Sequence, residues 1–179
     1  MAIDNMRMLK FETMIKKIDK ALDIYCLYKS GTGNNLPLKL VFNYSKLNEF
    51  GKKIIKLTSF NLMSDYRIEK WGKKYSIIHE DNRVDASRDF INLLTAEESI
   101  CGRDEALRFI FWALMILTVD DNDRDESLTL ICDFIKMLDI TDEEVSDLIN
   151  VIKMIYKKTD IQLNSNSCKN IFGNLLYSV

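Results

Sequence analysis

The densest chemistry in this chain lies in seven consecutive residues, Asp120-Asp121-Asn122-Asp123-Arg124-Asp125-Glu126. Five of them carry carboxylates, and charges of one sign held this close repel. A hard divalent cation with oxygen ligands would relieve that repulsion. Asp121, Asp123 and Asp125 have the D-x-D-x-D spacing that opens a calcium loop. A complete loop also needs Gly at its sixth position and a bidentate Glu at its twelfth. This chain has Glu126 and Cys132 there. The simpler reading is a solvated acidic loop feeding a helix N-terminus, where the helix dipole favours acid. A cation held by Asp120, Asp121, Asp123, Asp125 and Glu126 is the alternative, and no other cofactor is indicated.

A second set of residues is basic. Lys16, Lys17 and Lys20, then Lys52, Lys53 and Lys56, then Lys70, Lys73 and Lys74 form three groups, the last with Trp71 and Tyr75 among it. On one surface they would attract an acidic protein or the phosphates of a nucleic acid, with the aromatics placed to stack on bases. Residues 1–80 hold 15 Lys and Arg against 8 Asp and Glu, whereas the rest of the chain holds 10 against 19. Net charge is only −2, so either the halves attract each other or each faces its own partner.

Other chemistry is sparse. His79 is the only histidine; it lacks a second His for metal-ligand spacing and is read as an exposed or hydrogen-bonded residue at a helix end. No GxSxG is present to seat a nucleophilic serine. Cys26, Cys101, Cys132 and Cys168 are far apart with no CxxC pair, which fits buried thiols better than disulfides or zinc. The glycines of Gly31 to Pro37 (GTGNNLP) lack the Walker pattern and read as a loop.

The elements that must position these groups are helices. Ala106 to Val119, ALRFIFWALMILTV, is apolar except at Arg108 and Thr118. A helix that is apolar on every side must be covered on every side. Its 14 residues fall short of the roughly 20 that cross a bilayer, so it is expected at the centre of a bundle, capped by Asp104. Met8, Phe11, Ile15, Ile18, Leu22 and Tyr25 form one stripe of a helix over 6–29, ended by Ser30-Gly31. Leu47, Phe50, Ile54 and Leu57 predict another, capped by Ser45. Leu38 to Phe42 fits a helical turn or an extended piece. Ile68, Trp71, Tyr75 and Ile78 have helical spacing, while 75–80 also suits a short extended segment. Asp85-Ala86-Ser87 starts a helix with Phe90, Ile91 and Leu94 inward. Leu128, Ile131, Ile135 and Leu138 mark the next, with Asp123 and Glu126 spaced as a capping box. Thr141-Asp142-Glu143-Glu144 is a capping box ahead of Val145, Leu148, Ile149, Ile152 and Ile155. Cys168 to Tyr177 has the length of a last short helix.

The fold class is therefore all-α, a multi-helix bundle around a buried helix at 106–119. One Pro and six Gly argue against a sandwich or barrel. With 179 residues, 47% hydrophobic, one domain over 1–179 is expected, with a basic half at 1–80 and an acidic helical half at 84–179. The first 20 residues have no apolar signal core, and with no apolar span a cytoplasmic protein without membrane contact is expected.

Residues 105–152 read as an apolar helix, an acidic turn with a Glu, a helix, then L-D-I-T-D-E-E and another helix. This resembles the TerB-like helical domains of tellurite-resistance and stress-response systems. Asp120 matches the Asp of their acidic turn, Glu126 the Glu that follows, and Leu138 to Glu144 the later segment. Two glycines of the pattern are Asp121 and Asp139 here. The resemblance implies an all-helical bundle, divalent-metal binding at the acidic turn and a scaffold-like role. Three functions follow as expectations: a non-enzymatic module docking a protein partner through a charged face, as an immunity or stress-response component would; a metal-binding helical domain; and nucleic-acid binding through the basic half.

Overall fold

The computed structural model describes residues 5–25, 35–60, 66–96, 103–120 and 124–159. Among these, eight α-helices follow one another: α1 Asn5–Tyr25, α2 Leu36–Val41, α3 Glu49–Leu57, α4 Tyr66–Lys74, α5 Arg83–Ala96, α6 Arg103–Val119, α7 Arg124–Met137 and α8 Asp142–Thr159. A single 3-10 turn, Tyr44–Lys46, lies between α2 and α3. The chain is all-α.

The apolar stretch is the centre, as its composition requires. Along α6, Ile110, Phe111, Trp112, Ala113, Leu114, Met115, Ile116 and Leu117 are all at most 1% exposed. Each large side chain buried this way favours the folded state by about 1.5–3 kcal/mol. Helices α2, α3, α7 and α8 pack around α6. The shell continues outward, α1 lying on α3 and α8, and α5 on α2, α4 and α7. One contiguous core joins Phe11 and Ile15 of α1, Ile54 and Ile55 of α3, Trp71 of α4, Phe90 of α5, Phe134 of α7 and Ile149 and Ile152 of α8. The helix begins at Arg103, so Asp104 is a helical residue of its first turn and not its cap.

Helix ends follow local chemistry. Asn48 caps α3, its side chain accepting from Gly51 N at 2.9 Å. Ser45, expected in that role, lies in the 3-10 turn and donates to Asn43 Oδ1. The expected loop through Pro37 is also corrected, because Leu36 and Pro37 open α2. Proline is tolerated there, where no intrahelical partner awaits its missing N–H. The Thr141 box forms in both directions: Thr141 N donates to Glu144 Oε1 at 3.1 Å, and Glu144 N to Thr141 Oγ1 at 3.2 Å. Helix α7 ends in a Schellman motif, with Ile140 N on Ile135 O at 3.1 Å and Asp139 N on Lys136 O at 3.3 Å. Asp139 takes the left-handed φ of 50° that this motif demands.

No extended segment forms at 75–80; those residues are turns and bends, and no β-strand is present among the described residues. Asn82 sets this turn. Its Oδ1 accepts from His79 N and its Nδ2 donates to Ile77 O, both at 2.8 Å. These bonds give the backbone side-chain partners in place of a neighbouring strand. The stop at Ser30-Gly31 and the helix expected over Cys168–Tyr177 lie outside the described residues.

Candidate functional site

At the acidic corner, Asp120 ends α6 and is 2% exposed. Its Oδ2 accepts from Asn48 N at 2.6 Å, and Asn48 Nδ2 donates to Val119 O at 2.7 Å. One asparagine thus caps α3 and grips the end of the central helix. Glu126 pairs with Arg83. That guanidinium also donates from Nη1 to Leu40 O at 3.3 Å and Val41 O at 3.2 Å, and Ser127 Oγ donates to Val41 O at 2.7 Å. Side chains from α5 and α7 therefore hold the carbonyl end of α2. Asp125 is exposed in the first turn of α7. Asp121 and Asp123, and with Asp123 half of the expected capping box, lie outside the described residues. Among the described residues no three His, Cys, Asp or Glu converge on a common point.

A second polar cluster is buried beside α6. Arg108, 2% exposed, pairs with Asp19 of α1 and lies 3.5 Å from Glu105 Oε1. Trp112 Nε1 donates to Asp19 Oδ1 at 3.1 Å, and the guanidinium lies 5.4 Å from the centre of the Phe60 ring. In the sequence Arg108 stands out only as a break in apolarity. The usable signal was that a buried arginine requires a carboxylate from another element.

The lysines separate into two surfaces. On α1 and α3, Glu12 lies 3.4 Å from Lys16 and 3.5 Å from Lys53. Desolvation raises the pKa of Glu12, but the two ammonium groups outweigh it and hold the carboxyl below its ordinary value. The bridge sets the two lysine rows side by side. Lys17, Lys20 and Lys56 are exposed and Lys52 half-buried. Lys39 and Lys52 both approach the Tyr44 ring, at 5.9 and 5.8 Å from its centre.

Lys70, Lys73 and Lys74 lie on α4, exposed. The aromatics expected to stack on bases do not present faces to solvent. Trp71 is 4% exposed, packs 4.7 Å from the Phe90 ring and donates from Nε1 to Ala86 O. Tyr75 is 6% exposed and donates its hydroxyl to Asp89. That bond, with burial, raises the tyrosine pKa. Bonding to Tyr75 and attraction to Asp89 raise that of Lys74.

His79 is exposed just ahead of α5. Cys132 is a free, half-buried thiol whose pKa is pushed up by burial. The other cysteines lie outside the described residues. No helix among the described residues is long and apolar enough to cross a membrane.

No protein-family model, curated protein or solved structure matches this chain.

Proposed function

We propose that the protein is a non-enzymatic interaction module, of immunity or stress-response type, that docks an acidic face of a partner protein on the lysine surface of α1 and α3. The observation that carries this reading is Glu12, which draws Lys16 and Lys53 together from separate helices. Lys17 and Lys20 of α1 and Lys56 of α3 add exposed positive charge on the same two helices. An exposed charge pair contributes only about 0.2–1 kcal/mol, so docking needs several acting together and weakens as salt rises. Three carboxylates among the described residues have structural partners: Asp120 with Asn48, Asp19 with Arg108 and Trp112, Glu126 with Arg83.

The experiment compares proteins retained by the immobilised chain and by its Lys17→Glu, Lys20→Glu, Lys56→Glu variant, at low and high salt, with and without nuclease. These three lysines are exposed and distinct from the Glu12 bridge, and circular dichroism checks that the variant keeps the fold. A protein held by wild type at low salt and lost from the variant supports the reading. Equal retention by the variant overturns it. Loss on nuclease treatment moves the assignment to nucleic acid.

A further inference from the structure

A cleft of about 210 Å³ lies between α5 and α7. Val84, Ser87, Arg88 and Ile91 line it from α5, and Glu126 and Leu130 from α7. Their spacings of three, four and seven are those of a single face on each helix. The surface of the cleft is mostly apolar, yet Ser87, only 2% exposed, is part of it. Its hydroxyl has no hydrogen-bond partner among the described residues. Other hydroxyls on helices turn back onto the carbonyl four positions earlier: Thr58 Oγ1 donates to Ile54 O at 2.7 Å, and Thr129 Oγ1 to Asp125 O at 2.9 Å. Ser87 does not. One turn before it on α5, Arg83 Nε is a second buried polar atom without a partner. A buried hydroxyl left unmet lowers stability, and this one borders a space that a ligand can enter. Both charged residues of the lining already face an opposite charge, Glu126 in its pair with Arg83 and Arg88 at 3.8 Å from Asp85.

We propose that this cleft binds a small neutral molecule made of one apolar ring and one hydroxyl, of the phenol or cyclic-alcohol class. The ring lies against Val84, Ile91 and Leu130, and the hydroxyl meets Ser87 Oγ. A hydroxyl donates and accepts, so it suits the serine in either role. The cleft is smaller than the roughly 300–1,000 Å³ of sites for drug-sized ligands, which favours a body of this size. A rigid ring also has little conformational freedom to lose on binding. An ionic ligand fits less well, because it would compete with the pairs at Glu126 and Arg88. A single water fits less well too, since it needs about two to four polar partners and the walls are apolar. The cleft lies on other helices than the α1 and α3 surface and stands whether or not that surface docks a partner.

The test is an NMR titration of the full chain, read from backbone amide shifts, with three probes: p-cresol, toluene, which lacks only the hydroxyl, and p-toluate, which carries a carboxylate in its place. The variants are Ser87→Ala and Val84→Trp, the second placing a large side chain at an exposed position of the lining, with folding checked by circular dichroism. p-Cresol is expected to bind wild type saturably, with a Kd on the order of 1 mM or tighter for so few atoms, and to shift amides of α5 and α7. Toluene binds about two- to tenfold more weakly, the worth of one hydrogen bond. Ser87→Ala weakens p-cresol by about the same factor and does not weaken toluene, whereas a general disturbance of the cleft would weaken both. Val84→Trp abolishes binding of both, and p-toluate binds more weakly than p-cresol. Absence of saturable p-cresol binding, shifts confined to other helices, unchanged p-cresol affinity in either variant, or toluene binding as tight as p-cresol overturns the proposal. Tighter binding of p-toluate than of p-cresol overturns it as well and assigns the cleft to an anion.

Discussion

Asp120 Oδ2 lies 3.1 Å from the point where a Cβ on Gly51 would stand. The carboxylate is buried and held at 2.6 Å by Asn48 N, so it has little room to retreat. Alanine normally favours a helix interior over glycine by about 1 kcal/mol. At Gly51 that gain is outweighed by overpacking, which costs about 1–3 kcal/mol. Gly51→Ala is expected to lower stability. Gly72→Ala, where nothing lies within 4 Å of the added carbon, raises it by up to about 1 kcal/mol. Urea unfolding of the two variants checks the pair; the same sign for both would refute the contrast.

Asp19 and Arg108 are expected to be strongly coupled. Asp19→Ala takes an acceptor from both Arg108 and Trp112 and costs about 3–5 kcal/mol, the scale for breaking a buried pair. Arg108→Met leaves Asp19 and Glu105 facing an apolar chain. The double variant costs less than the sum of the two, by about 0.5–3 kcal/mol. A double-mutant cycle by denaturant unfolding measures this, and additive losses would show that the pair does not act as a unit.

Asp139→Gly should stabilise the chain. Asp139 holds φ at 50°, a conformation that costs an L-residue about 1–2 kcal/mol and glycine almost nothing. The expected gain is about 1 kcal/mol, seen as a higher urea midpoint at unchanged slope. A drop would mean that the aspartate side chain contributes more than the backbone relief.

Tyr75 should titrate above the usual tyrosine range. Its bond to Asp89, with burial, favours the neutral phenol, while Lys74 opposes this. A folded pKa above the unfolded one means the associated stability is complete below the ordinary tyrosine value. It is lost as pH rises through the raised value. Phenolate absorbance of wild type minus Tyr75→Phe isolates this group among the seven tyrosines. Asp89→Asn should bring the transition down, and an unmoved transition would remove Asp89 as its cause.

The central helix and the Thr141 box were legible because each depends on residues near in sequence: an uninterrupted apolar run and two partners three positions apart. What defeated sequence reasoning were partners far along the chain. The bond that Asp120 accepts from Asn48 N joins residues 72 positions apart, and no local pattern announces it. Trp71 and Tyr75 read as free aromatics beside lysines, but the same spacing serves a buried face, and the turn set by Asn82 folds α5 onto it. Ser45 was expected as the cap of α3, although asparagine is as good a cap by residue type. Only the bond to Gly51 N decides between them.

Helix α2 has six residues, well short of the roughly 12–15 at which isolated helices become even marginal in water. Its last carbonyls are held by Arg83 and Ser127, and Leu38, Leu40 and Val41 are wholly buried. Its helical form is therefore expected to depend on α5 and α7 being in place, which would make it a late arrival in folding. The same dependence makes it an early departure on unfolding: once α5 and α7 separate, its amides should exchange with solvent no more slowly than theirs.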